Sequence, residues 1–98
     1  MDQDNKELAE LRANMTAINE VMMHNLNKFF ELSNAIGRVK DKLGRSHFDP
    51  VRESEMLQEI QAKNTGPMPT DLMKRIFKEI FKASVEEMGV GTRQKLQV

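Results

Sequence analysis

Two cations on one flank of a repeating apolar pattern are the residues whose spacing could do chemistry. Arg12 and Lys40 each follow an apolar residue, Leu11 and Val39, at a d position of a heptad. They are 28 residues apart, from 12 to 40, or about 42 Å along a helix axis. One small ligand cannot touch both within one chain. If two copies of that helix pair antiparallel, Arg12 of one chain can approach Lys40 of the other. Arg52 and Glu53, in the first turn of a second helix, come a few residues after the loop that follows Lys40 and could converge there. Two or three cations with free helix N–H groups would hold a small dianion. A plainer reading of the same charges is solvated e and g positions beside a helical seam.

The element that would position them is one unbroken heptad. Leu8, Leu11, Met15, Ile18, Met22, Asn25, Phe29, Leu32, Ile36, Val39 and Leu43 follow at alternating steps of three and four, and ten of these eleven are apolar. No Gly or Pro interrupts before Gly37, and one glycine costs a helix only ~1 kcal/mol. The run from Leu8 to Leu43 spans ~50 Å at a rise of about 1.5 Å per residue and predicts a single helix over about 5–44. A compact domain of this length is only ~26 Å across. Such a helix cannot bury its seam within its own chain, so a second chain is expected.

Gly44 to Phe48 read as a short connection. Asp49-Pro50 then opens a second helix over about 50–64, with Asp as N-cap and Pro in the first helical position. Val51, Met56, Leu57 and Ile60 form its apolar face. Thr65-Gly66-Pro67-Met68-Pro69 forbids helix. Thr70 or Asp71 is the expected cap of a third helix over about 70–90. Its face is Leu72, Met73, Ile76, Phe77, Ile80, Phe81, Ser84, Val85 and Met88, and Gly89 and Gly91 stop it. The expected fold is all-α, one long and two shorter helices in a single domain over 1–98, with the long helices paired between chains.

Composition excludes several classes. Fifteen basic and fifteen acidic side chains cancel, so no overall field favours nucleic acid or an anionic membrane. Trp and Tyr are absent, which removes the usual stacking residues for single strands. With no Cys, disulfides, thiolate metal sites and Cys nucleophiles are excluded. His24 and His47 lack partners at metal-ligand spacing and read as surface or loop residues. The N-terminus, MDQDNKELAELR, is acidic and polar, unlike a signal peptide. No apolar run approaches ~20 residues. A cytoplasmic location, no metal and no cofactor are expected.

Three phrases then carry a resemblance. His47-Phe48-Asp49-Pro50-Val51-Arg52-Glu53-Ser54-Glu55-Met56-Leu57, the run Ile76-Phe77-Lys78-Glu79-Ile80-Phe81-Lys82-Ala83, and Leu11-Arg12, Ile18-Asn19 and Gly37-Arg38-Val39-Lys40 in the first helix keep their separations without gaps. Together they resemble the all-helical class of chorismate mutases, and most of all the domain of that kind fused at the N-terminus of some bacterial DAHP synthases. Lys95-Leu96-Gln97-Val98 looks like the point where such a domain hands over to a synthase. The resemblance implies an intertwined homodimer, rearrangement of chorismate to prephenate, a small dicarboxylate ligand and no metal or cofactor.

The resemblance also implies roles. Arg12 matches an arginine that reaches a carboxylate across the dimer, and Lys40 a lysine that bonds a carboxylate and the ether oxygen. Asp49, Arg52 and Glu53 match the start of the second helix, where Glu holds the substrate hydroxyl. Ser84 matches a position that can touch a carboxylate. Lys40, Arg12 and Arg52 are thus the expected catalytic cations. Two positions depart: the family has an arginine where this chain has Phe29, and a glutamine or glutamate where it has Met88. Phe29 removes a carboxylate clamp, and Met88 removes a donor to the ether oxygen. Lys28 points about 100° away from Phe29 on the helix and does not replace the clamp. The expected outcome is weak catalysis, or a ligand-sensing domain of a DAHP synthase. A helical dimerisation module without ligand is the alternative.

Overall fold

The computed structural model describes residues 1–88. It contains three helices: α1 (Asp2–Leu43), α2 (Pro50–Lys63) and α3 (Thr70–Glu87). The all-α expectation holds among the described residues. α1 begins three residues before the expected start at 5, because Asp2 and Asp4 put acidic charge in its first turn, where the helix dipole favours it. The expected stop at Gly89 and Gly91, and the tail from Thr92 to Val98, lie outside the described residues.

The chain divides after Leu32 into two compact units. The first, 1–32, is the N-terminal part of α1. Leu8, Leu11, Met15, Ile18 and Met22 are 44–67 % exposed in the single chain. The apolar face read from the sequence is therefore exposed along this part of α1. Phe29 and Phe30 are half-buried, their rings tilted at 51° with centroids 6.4 Å apart.

The second unit holds the end of α1 with α2 and α3. α1 stops because Gly44 turns left-handed, at φ +67. Gly44 N–H donates to the Asp41 carbonyl (3.2 Å) and Arg45 N–H to the Lys40 carbonyl (2.9 Å). These two bonds satisfy otherwise orphaned carbonyls in the Schellman pattern. α2 starts as expected: the Asp49 carboxylate accepts from Arg52 N–H at 3.0 Å, and Pro50 opens the helix.

Asn64 ends α2 and organises the following loop. Its Nδ2 donates to the Met68 carbonyl (2.9 Å) and to Thr70 Oγ1 (3.1 Å), while its Oδ1 accepts from Gly66 N–H at 3.2 Å. This corrects the expected cap of the third helix. Thr70 is bonded to Asn64, and Pro69 occupies the cap position with no side-chain hydrogen bond. α3 packs on α2, and Lys74 Nζ donates to Gln61 Oε1 across them at 3.1 Å.

Among the described residues of the unit, Phe81 and Ser84 on α3 and Ser33 and Gly37 on α1 are buried. The Phe77 ring is tilted at 52° to that of Phe81, with centroids 5.9 Å apart, within the distance range favoured by aromatic pairs. Met56, Leu57 and Ile60 are half-buried as expected. Val51, read from spacing as part of the same face, is 69 % exposed. It sits in the first turn of α2, where the chain is only just leaving the loop.

Candidate functional site

Lys40 lies in the last turn of α1 and is half-buried. The Schellman turn reverses the chain beyond it and brings His47 back alongside. Lys40 Nζ donates to the His47 carbonyl at 2.9 Å. His47 Nε2 meets Asp41 Oδ1 at 2.6 Å. A carboxylate can only accept, so Nε2 carries the hydrogen in this contact. The residue next to Lys40 thereby holds the loop that holds the Lys40 amine. An ammonium has three donors, so one bond to a carbonyl leaves two for a ligand.

Asp49, Arg52 and Glu53 share the first turn of α2. The cap occupies one N–H at this end, so the N–H groups are not all open to an anion as the sequence reading has them. Arg52 Nη1 lies 3.4 Å from Glu55 Oε2 and 3.8 Å from Glu59 Oε1, all three exposed. Exposed pairs of this kind are worth only ~0–1 kcal/mol, so a carboxylate ligand can displace them. Glu53 is half-buried and lines a cleft of about 340 Å³ with Phe48, Lys78, Glu79, Lys82, Val85 and Glu86. Lys78 and Lys82 were not among the site candidates read from the sequence. Their signal was the phrase Ile76-Phe77-Lys78-Glu79-Ile80-Phe81-Lys82, which puts both on one face of α3 four residues apart.

Ser84 is 4 % exposed, and its hydroxyl donates to the Phe81 carbonyl at 2.8 Å. Met88 is half-buried, with its side chain against the backbone of Gly37. Arg12 and Phe29 belong to the first unit. Arg12 is exposed, and its carbonyl accepts from Thr16 Oγ1 at 3.1 Å. Phe29 is half-buried beside Phe30. The second unit thus carries Lys40, Asp49, Arg52, Glu53 and Ser84. Among the described residues no three His, Asp or Glu side chains are placed to hold a metal, and no helix is long and apolar enough to cross a membrane.

Known proteins narrow the chemistry. The family description Chorismate mutase type II matches residues 11–88. The structure of chorismate mutase (form II) from Thermus thermophilus is 39 % identical, with a TM-score of 0.80, covering 82 % of this chain and 91 % of that one. Form I of the same protein gives 40 % identity and a TM-score of 0.78, covering 80 % and 98 %. The bifunctional chorismate mutase/prephenate dehydratase of Aquifex aeolicus is 32 % identical over 82 residues. Those residues are 80 % of this chain and 23 % of that protein, so the chain spans about a quarter of this curated relative. The match runs from Leu11 to Met88 and includes Arg12, Lys40, Arg52 and Glu53, and the chain belongs to the chorismate mutase type II family.

Proposed function

We propose that this chain is a chorismate mutase-type domain with a depleted site, binding chorismate or prephenate and rearranging chorismate weakly. The observation that carries this reading is the family match over 11–88, taken with the two apolar residues inside it. In the reaction the ether C–O bond breaks as a C–C bond forms, in one substrate, with no proton transfer or covalent intermediate. Catalysis is therefore positioning and electrostatics. Lys40 holds a carboxylate and donates to the ether oxygen as negative charge grows there. Arg52 and Arg12 of the partner subunit supply the remaining positive charge, Glu53 takes the substrate hydroxyl, and Asp49 orders the helix end beside them.

Phe29 and Met88 set the level of activity. Losing one preorganised donor to a transition-state oxyanion costs ~10²–10³ in rate. Met88 brings a thioether where an amide would donate, and its side chain is committed to packing on Gly37. A domain that still binds the ligand but turns it over slowly suits a sensor. We read it as the regulatory domain of a DAHP synthase, responding to prephenate or chorismate. The phrases Phe48-Asp49-Pro50-Val51-Arg52-Glu53 and Ile76-Phe77-Lys78-Glu79-Ile80-Phe81-Lys82 support that link. The Aquifex relative, in which the domain is a minor part of a bifunctional protein, is consistent with service in a fusion.

One observation favours a second reading, a dimerisation module without ligand. The Ser84 hydroxyl donates to its own helix, and Met88 packs rather than bonds. Titration calorimetry with chorismate and prephenate, with turnover followed by chorismate absorbance, separates the readings. Heat with both ligands and turnover far below ~10 s⁻¹ is the expected result. Turnover at that level or above means Phe29 and Met88 are compatible with full catalysis. No heat and no rise in melting temperature at millimolar ligand leaves the module.

A further inference from the structure

We infer that His47 and Asp41 form a latch that sets the position of the Lys40 ammonium, making His47 a positioning residue for the anion site; the inference rests on Lys40 being a ligand of that anion. Four bonds build the latch within a short stretch of chain. The Gly44 turn returns the chain through Gly44 N–H to Asp41 and Arg45 N–H to Lys40, at 3.2 and 2.9 Å. His47 Nε2 then binds the Asp41 carboxylate at 2.6 Å, and the His47 carbonyl binds Lys40 Nζ at 2.9 Å. The imidazole itself does not bond the amine; it fixes the peptide that does. The Lys40 contact with the His47 carbonyl is part-buried, whereas the Asp41 carboxylate that holds the imidazole is 60 % exposed.

The physical consequence is preorganisation. A lysine side chain is long and flexible, and freezing its rotamers on binding costs up to ~2 kcal/mol. An amine already tethered at one hydrogen has incurred much of that cost during folding. Two hydrogens remain for carboxylate and ether oxygen. Because the tether is a backbone carbonyl, side-chain substitution at 47 cannot delete it. It can only release the loop that presents it. The latch therefore predicts a particular pattern: loss of either ring or carboxylate should have the same effect, and loss of both should have no more.

The experiment has two readouts. The first is the rate at which Lys40 is acetylated by a water-soluble N-hydroxysuccinimide ester in the unliganded protein, followed by peptide mass spectrometry, with Lys6 and Lys42 as internal standards. His47→Phe and Asp41→Ala should each raise the Lys40 rate several-fold, the double variant no further, and His47→Gln, which keeps a donor for Asp41, should stay near wild type. The second readout is chorismate binding or kcat/KM. His47→Phe should weaken it by about tenfold in the native chain and leave it unchanged in a Lys40→Met background. Equal Lys40 acetylation in all variants overturns the latch. So does a His47→Phe penalty that persists without Lys40, since that residue would then act through stability. If wild type neither binds nor converts chorismate, the proposed function fails and the acetylation pattern alone decides the latch.

Discussion

Met88 lies against the backbone of Gly37: a methyl group added to Gly37 would stand 3.2 Å from Met88 Cγ, 3.3 Å from Cβ and 3.4 Å from Sδ. The contact joins the end of α1 to the end of α3, and it exists because residue 37 has no side chain. Gly37→Ala gains ~1 kcal/mol of helix propensity and forces Met88 to give way. Cγ and Sδ can turn aside, while Cβ moves only with the backbone. Overpacking costs ~1–3 kcal/mol where nothing yields, so the net change should be a destabilisation below ~1 kcal/mol. In a Met88→Ala background two of the three contacts are gone, and Gly37→Ala should become stabilising. Urea unfolding of the four proteins measures this coupling. An equal cost in both backgrounds contradicts the packing described.

The cap of α2 offers a cleaner separation of structure from binding. Asp49 accepts from Arg52 N–H, and removing such a cap costs ~1 kcal/mol. Asp49→Ala should lower stability by about that amount and loosen the turn that carries Arg52 and Glu53. Asp49→Asn keeps an acceptor oxygen and should recover both the stability and the KM for chorismate. If Asp49→Asn recovers stability while KM stays raised, the carboxylate charge itself contacts ligand or its neighbours.

Different parts of the structure were legible for different reasons. Asp49-Pro50 announced its helix because the cap is a local, two-residue arrangement. The long helix was legible from its heptad, which needs no tertiary knowledge. Thr70 was misread as a cap because its partner, Asn64, lies six residues away across a loop whose course no local rule fixes. His47 was passed over as a loop residue, since its link to Asp41 and Lys40 appears only once Gly44 has reversed the chain. Val51 fitted an apolar stripe by spacing, yet it is 69 % exposed at that end of α2. Spacing gives the face; what covers it is a tertiary matter. Of the candidate site, Lys40, Arg52 and Glu53 came from the resemblance. Lys78 and Lys82 became visible only as the wall of the cleft that Glu53 also lines.

The exposed seam leads to a prediction about assembly. Ile18 and Ile36 are 58 % and 52 % exposed in the single chain. If the chain worked alone, Ile18→Glu or Ile36→Glu would be a surface change, within about 0.5 kcal/mol of neutral. If the seam is closed by a second copy, each change buries an unpaired charge twice per dimer. Dissociation and unfolding should then coincide, and the melting temperature should depend on protein concentration. Light scattering with thermal melts at several concentrations checks this. A folded wild-type monomer at micromolar concentration would refute the paired seam.

The two apolar substitutions give the most discriminating test. The resemblance assigns Phe29 and Met88 to the positions of a carboxylate clamp and an ether-oxygen donor for one substrate. If their loss is the cause of weak catalysis, Phe29→Arg with Met88→Gln should raise chorismate turnover well beyond the product of the single changes. The clamp fixes the ring geometry in which the second donor is aligned, so the two effects should couple rather than add. Met88→Gln alone should gain least, because without the clamp the ether oxygen is poorly placed for its amide. Stability should fall somewhat, since Met88→Gln would put an amide against Gly37 where a thioether now packs. Chorismate disappearance by ultraviolet absorbance, on variants shown by circular dichroism to be folded, decides the matter. A folded double variant with no gain would mean that the cavity has closed around its apolar residues, leaving the family's shape without its chemistry.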